Sequence, residues 1–341
     1  MNEVSIIGVD LAKSVFQVHG AGPDGTAHFR KKLTRIQFLP FLSQQPNCIV
    51  AMEACATAHG WARAISELGH EAKLIPPQYV KPFVKRQKND MADAEAIAEA
   101  ASRPTMRFVE IKSEDSQARA MIFRTRQMLV HQRTQSLNAL RSHLAEYGVI
   151  APKSRFRTDQ LARLVEDKDA TLPDLVRATG IMYLEHIEAL TSRISELNDQ
   201  IKEVVRSSKT AKRLQSMPGV GLQTSIAIEA FAPDMRCFKC GRDFAAWLGL
   251  VPKQHSSGGK ERLGKVSKHG QQDIRTNLIS GAMSVIVAIT RFGKQPTEWL
   301  ARMLERKPKK LVAIALANKM ARAIWAMMMK GEDYRNPVAT A

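Results

Sequence analysis

A short apolar run, Val4–Val9, ends on Asp10, and this junction constrains the fold more than any other feature of the chain. The run is rich in β-branched residues and too short for a helix, so it reads as a buried strand with an acid at its end. Two further strand candidates, Val15–Gly20 and Thr26–Arg30, are split by Gly22-Pro23-Asp24-Gly25, whose glycines and proline favour a tight turn. Together the three predict an antiparallel meander. A fourth apolar run, Cys48–Met52, again ends on an acid, Glu53. Trp61–Leu68 has helical spacing and stops at Gly69, Ala72–Ile75 is a short fifth strand closed by Pro76-Pro77, and the alanine-rich segment Asp90–Ala101 is helical. This order of strands and helices predicts an α/β domain of RNase H/RuvC-like type over residues 1–105.

The texture then changes. Ser116–Ala145 carries neither acid nor lysine but five arginines, Arg119, Arg124, Arg126, Arg133 and Arg141, with Val130, Leu137, Leu140 and Leu144 as an apolar seam. After Pro152 and the basic loop Lys153-Ser154-Arg155-Phe156-Arg157 comes a heptad stretch, Ile187, Leu190, Ile194, Leu197, Ile201 and Val204. Its alternating spacing of three and four predicts a coiled coil, either folded back within the chain or made between two copies, so that 106–210 holds the Arg-rich helix and the coiled coil. Residues 211–341 predict a mainly α-helical domain, with helices at Phe244–Leu248, Asp273–Thr290, Thr297–Arg306 and Lys310–Met329 around a Gly/Ser/Lys-rich loop, Pro252–Gly270. Met217-Pro218-Gly219-Val220-Gly221 resembles the turn of a helix-hairpin-helix, where the backbone N–H groups near Gly219 and Gly221 are placed to meet a phosphate.

Charge narrows the partner. The 341 residues carry a formal net charge of +18, and its distribution is uneven: +2 over 1–105, +3 over 106–210 and +13 over 211–341. A domain so electropositive points to a nucleic-acid backbone. The loop residues Lys253, Lys260, Arg262, Lys265 and Lys268 and the five arginines of 116–145 are the candidate phosphate contacts, the arginines suited to RNA because the guanidinium both forks onto phosphate and stacks on bases. For each group the alternative is a solvated charged face. Four cysteines, Cys48, Cys55, Cys237 and Cys240, make no disulfide framework, and the lone Cys237-x-x-Cys240 reads as structural rather than as a zinc site. The N-terminus lacks the basic start and long apolar run of a signal peptide, and Leu311–Met329, interrupted by Lys319 and Arg322, reads as a core helix; a cytoplasmic protein without a membrane span is expected.

The acids carry the chemistry. Phosphodiester cleavage needs a nucleophile held in line and charge neutralised on the leaving oxygen, and two Mg²⁺ ions held by carboxylates supply both. In an RNase H-like sheet the first and fourth strands are neighbours, so Asp10 and Glu53 meet at one edge, while Asp90 and Asp93 share a face of the following helix. Singly, each has a plainer reading; Asp90-x-x-Asp93 is also a helix-capping pattern. Jointly they predict a metal site.

Ile-Gly-Val-Asp10-Leu-Ala-Lys, Met-Glu53-Ala-Cys and Lys-Asn-Asp90-Met-Ala-Asp93-Ala resemble the motifs of the DEDD transposases of the IS110 insertion-sequence family. A second block agrees: Ser216-Met-Pro-Gly-Val-Gly221, Trp247-Leu-Gly-Leu-Val-Pro252, Ser256-Ser257-Gly258-Gly259 and Gly264-Lys-Val-Ser-Lys268-His-Gly270. The likeness runs over nearly the whole chain; it departs after Glu53, where Ala-Cys-Ala-Thr replaces a more glycine-rich turn. It implies an RNA-guided DNA recombinase in which a RuvC-like domain joins a helical transposase domain through a coiled coil. It further implies donor and target DNA and a structured bridge RNA as partners, a homodimer or homotetramer, Asp10, Glu53, Asp90 and Asp93 as Mg²⁺ ligands, and Ser257 as the nucleophile. The doublet Ser256-Ser257 leaves that last assignment open by one residue. Two rivals stand beside this reading: a RuvC-like junction endonuclease using metal-activated water, and a non-catalytic coiled-coil protein that binds nucleic acid.

Overall fold

A computed structural model describes residues 4–85, 90–150, 158–167 and 172–335, with Asp90 and Thr158 by backbone alone. The basic loop Lys153–Arg157 lies outside these residues. The chain divides into two compact units, Met1–Ser113 and Glu114–Ala341.

In the first unit β1 (Ile6–Leu11), β2 (Val15–Ala21) and β3 (Ala27–Thr34) form the expected meander, each antiparallel to the next. Thr34 ends β3 and starts α1 (Arg35–Leu42) with a reciprocal cap, its hydroxyl accepting from the Gln37 N–H while the Gln37 side chain reaches back to the Thr34 N–H. Then come β4 (Ile49–Glu53), α2 (Ala58–Glu67), β5 (Glu71–Ile75), the single turn α3 (Pro77–Val80) and α4 (Asp90–Ala101). The sheet order is β3-β2-β1-β4-β5, with β1, β4 and β5 parallel.

Alternation along the strands splits the core in two. Ile7, Val9, Val50 and Met52 pack on one face against Phe38 and Leu42 of α1 and Ala58, Ala62 and Ile65 of α2. Phe16, Phe38 and Trp61 meet edge to face there, ring centroids 5.0–5.5 Å apart. On the other face Ala51 and Ile75 pack against Ala96, Ile97 and Ala100 of α4.

The second unit starts with two long helices, α5 (Glu114–Glu146) and α7 (Asp174–Ser207), with the short amphipathic α6 (Thr158–Glu166) between them. The long pair runs antiparallel: Leu140 and Leu144 pack near Ile187, Leu129 near Leu190 and Ile194, and Ala120 and Phe123 in one cluster with Ile201 and Val205. The heptad residues are thus engaged within the chain. Two positions differ from expectation, Leu129 being buried rather than Val130 and Val205 rather than Val204. A straight helix repeats every 3.6 residues, so a seam read at 3.5 drifts by one position over a few turns.

The remaining helices are α8 (Lys209–Gln215), α9 (Leu222–Phe231), α10 (Gly241–Trp247), α11 (Gln272–Phe292), α12 (Glu298–Arg306) and α13 (Lys309–Lys330). α9 is almost wholly buried among them. α13 is long and apolar enough to cross a membrane, yet Val312, Ala313, Ala317, Met320, Ala321 and Ile324 pack into the core of this unit. The segment Pro252–Gly270, expected as a loop, contains instead a small hairpin, β6 (Pro252–Gln254) and β7 (Leu263–Val266). Its strands are exposed and lack the apolar alternation that marks a strand in sequence.

Candidate active site

The register of β1 on β4 places two of the four expected acids. Ile6 pairs with Ile49, Ile7 with Val50, Gly8 with Ala51 and Val9 with Met52, so Asp10 and Glu53 are the next residues along two adjacent parallel strands. Each lies two residues beyond a position covered by α4, which puts both on the α4 face of the sheet. α4 comes unusually close there: a Cβ added to Gly8 would stand 2.2 Å from the Ala94 carbonyl oxygen and 2.7 Å from the Ala98 nitrogen. Only glycine lets helix and strand approach this far. Asp93 precedes Ala94, and its charge is felt at Glu53, whose carboxyl is pushed above its ordinary pKa first by burial and then by Asp93. Asp90 opens the same helix.

Like charges drawn together at a partly buried sheet edge are the donor set a hard divalent cation suits, and such a cation reverses the repulsion that raises the Glu53 pKa. Among the described residues no group of three His, Cys, Asp or Glu side chains is close enough to hold a metal. The Asp90 side chain, one of the four expected ligands, lies outside those described.

Sequence reasoning missed what anchors α4. Glu95 accepts from Arg30 of β3 (2.9 Å) and from Lys85 ahead of the helix (2.6 Å). The Lys85 hydrogen bond holds the Glu95 carboxyl below its usual range. Arg30 Nε also donates to Nδ1 of His19 (3.4 Å), a buried imidazole whose pKa burial lowers. These contacts pin α4 one turn beyond Asp90. Gly8, a glycine inside an apolar run, was the visible signal of close approach; nothing in the sequence marked Arg30 as the partner of Glu95.

The second unit carries the serine doublet on the exposed hairpin. Gly258 (φ 57°) and Gly259 (φ 75°) occupy the left-handed region between Ser257 and Lys260, and the Lys260 N–H donates to the Ser257 carbonyl (3.1 Å). That is a two-residue hairpin turn of the type glycine pairs favour. The two serines differ: the Ser256 hydroxyl accepts from the Arg262 N–H (3.3 Å), whereas the Ser257 hydroxyl has no hydrogen bond recorded among the described residues. The His255 N–H donates to the Arg262 carbonyl (2.8 Å) and its ring lies over Gly264, where a Cβ would come 2.9 Å from it. Lys253, Lys260, Arg262, Lys265 and Lys268 are all exposed around the hairpin.

The arginines of α5 are less uniform than their spacing suggests. Arg126 Nε donates to Asn198 Oδ1 across the helical pair (2.5 Å) and Arg133 to the Thr191 hydroxyl (3.4 Å). Arg124 lies over the Phe231 ring, 5.0 Å from its centroid. Arg141 donates to Asn138 one turn before it (3.4 Å), and Arg119 is half-buried. At the Pro-Gly turn, Gly219 (φ 87°) packs on α11: a Cβ there would lie 2.7 Å from the Gly281 carbonyl oxygen, and one on Gly281 would lie 1.9 Å from that of Gly219. Gly221 is exposed at the start of α9, which has no side-chain cap. Cys237 and Cys240 lie beside α10 and form no disulfide among the described residues.

Comparison with known proteins gives the family. Residues 7–149 match the DEDD transposase domain of the IS110 type, and residues 211–296 match the family described as "Transposase IS116/IS110/IS902 family". The chain is 46% identical over 336 residues to a Pseudomonas aeruginosa protein named "Probable family 20 transposase", covering 97% of this chain and 99% of the relative. It is 40% identical to the transposase for insertion sequence element IS1328 of Yersinia enterocolitica (97% and 98% covered) and 36% identical to that for IS1111A of Coxiella burnetii (98% and 92%). By similarity along nearly its whole length, the chain belongs to the IS116/IS110/IS902 family of insertion-sequence transposases.

Proposed function

We propose that this transposase cuts and rejoins DNA with a RuvC-like carboxylate site at Asp10, Glu53, Asp90 and Asp93 and a serine nucleophile, Ser257, guided by a structured bridge RNA in the bacterial cytoplasm. The observation that carries the reading is the β1–β4 register, which sets Asp10 and Glu53 side by side under the helix that bears Asp90 and Asp93. The mixed sheet order β3-β2-β1-β4-β5, with an antiparallel meander leading into parallel strands, supports the RNase H/RuvC-like assignment. Membership of a DEDD transposase family suggests divalent-metal dependence. Mg²⁺, as two ions, suits these oxygen donors, and when bound it would neutralise charge on the phosphate. The carboxylates' own task is to orient and hold: burial and then the Asp93 charge raise the Glu53 pKa, and a cation held between them would favour the ionised form.

Ser257 fits the nucleophile better than Ser256 because the Ser256 oxygen already receives the Arg262 N–H that shapes the hairpin. In the proposed step Ser257 Oγ bonds to phosphorus and the bond to the 3′ oxygen breaks, that oxygen taking, in net, the serine proton. A 3′ hydroxyl from another strand reverses the step. Two duplexes must be processed, so a homodimer or homotetramer is expected. The surrounding cations Lys253, Lys260, Arg262, Lys265 and Lys268 serve the DNA backbone; of the α5 arginines, Arg126 and Arg133 are engaged with α7, and Arg119, Arg124 and Arg141 with Gly219 and Gly221 serve RNA or DNA phosphates. Calorimetric titration of the full-length protein with Mn²⁺ tests the carboxylate site: wild type binds, and Glu53→Gln and Asp93→Asn each weaken binding at least tenfold. Unchanged binding in both variants defeats the assignment.

A further inference from the structure

The proposed site leaves one charged surface unused. Between Arg291 and Leu311 the chain carries seven basic residues and only two acids, Glu298 and Glu305. The end of α11 and the start of α13 stand together, because Lys309 Nζ donates to the Thr290 hydroxyl (3.4 Å). That contact gathers Arg291 and Lys294 from one side and Lys307, Lys309 and Lys310 from the other, all exposed. No ion pair to any of these five is recorded among the described residues, unlike Arg302 of α12, which pairs with Glu298. In their midst Phe292 is 75% exposed on the last turn of α11. Gly293 follows it in the left-handed conformation (φ 66°) and turns the chain away, leaving the ring at the corner of the surface. Leu311, 47% exposed, is a second bare apolar residue, at the first turn of α13.

A single exposed apolar residue needs no explanation. A bare aromatic ring inside a patch of unpaired cations is a different arrangement: the cations track phosphates and the ring offers a flat face for a base that has left its own stack. A duplex keeps its bases stacked and presents only its backbone, so the ring adds nothing to duplex binding. We propose that the surface formed by Phe292, Arg291, Lys294, Lys307, Lys309 and Lys310 is a docking site for single-stranded nucleic acid, with one unpaired base stacked on Phe292. Its residues are distinct from the carboxylates and the serine hairpin, and its binding requires no cleavage.

Fluorescence anisotropy of the full-length protein with labelled oligo(dT), oligo(U) and a DNA duplex tests it, in metal-free buffer so that strand cleavage plays no part. Phe292→Ala is expected to weaken binding of oligo(dT) or oligo(U) about tenfold while leaving duplex binding within about twofold. Phe292→Trp retains or tightens it. Lys309→Gln with Lys310→Gln weakens all three and lowers the salt slope by about one to two. The tighter of the two single strands identifies the strand the surface serves. Unchanged affinity of Phe292→Ala for both single strands, or an equal loss on the duplex, overturns the proposal. Loss of cleavage in carboxylate variants with this pattern intact leaves it standing.

Discussion

Gly8 and Ala94 are in direct backbone contact, with a hypothetical Gly8 Cβ only 2.2 Å from the Ala94 carbonyl oxygen. That contact sets the depth at which α4 rides on β1, and hence the height of Asp93 above Asp10 and Glu53. Gly8→Ala is predicted to push α4 outward, costing about 1–3 kcal/mol in urea unfolding and weakening Mn²⁺ affinity at the carboxylates. A variant with wild-type stability and affinity shows that the contact does not set the site.

Glu53 gives a stability prediction of opposite sign to its functional one. Its folded carboxyl titrates above its ordinary value, through burial and then through Asp93. The native state therefore holds its proton more tightly than the unfolded chain. Its contribution to the stability of the metal-free protein therefore falls as pH rises from the ordinary carboxylate range through the raised value, then levels off. Glu53→Gln is predicted to remove this slope and raise the metal-free melting temperature near neutral pH, while abolishing cation binding. Thermal melts from pH 4 to 8 with a chelator present check it; a lower melting temperature for Glu53→Gln across the whole range contradicts it.

The Arg126–Asn198 hydrogen bond ties α5 to α7, and burial, followed by Arg133, lowers the Arg126 pKa. Asn198→Ala strands a half-buried guanidinium and is predicted to cost about 1.5–3 kcal/mol; Asn198→Asp, which supplies a charge, costs less. Urea unfolding of both variants gives the order, and equal losses remove the role assigned to the pair.

These contacts also show what the sequence can and cannot display. β1, β4 and α4 were legible because apolar runs ending on acids, and an alanine-rich helix, carry their periods openly. The order of the strands does not follow from that pattern alone; the neighbouring of β1 and β4 was expected from the RNase H-like assignment and is seen in the sheet. The β6–β7 hairpin was hidden because its residues are exposed and polar, and only Gly258-Gly259 hinted at a turn. The arginines of α5 read as one surface, yet Arg126 and Arg133 face partners more than fifty residues away, which local spacing cannot reveal. Glu95 was silent for the same reason, its partner Arg30 lying on the far edge strand.

The hairpin separates the two serines. Ser257→Ala is predicted to abolish the covalent protein–DNA adduct, detected as a labelled band surviving denaturation. Ser256→Ala removes only the acceptor for the Arg262 N–H and is predicted to keep adduct formation within about tenfold, a loss consistent with one weakened hydrogen bond. Adduct retained in Ser257→Ala and lost in Ser256→Ala moves the nucleophile by one residue; adduct in both excludes the doublet.

The most direct measurement is Mg²⁺-dependent strand cleavage by the full-length protein, with the proposed bridge RNA and element-end DNA, in wild type and Asp10→Asn. This substitution keeps the size and polarity of the side chain and removes only its charge. Wild type is predicted to cut with Mg²⁺ and not with a chelator, and Asp10→Asn to lose at least a hundredfold in rate while folding normally by circular dichroism. Cleavage by Asp10→Asn at the wild-type rate contradicts the carboxylate site.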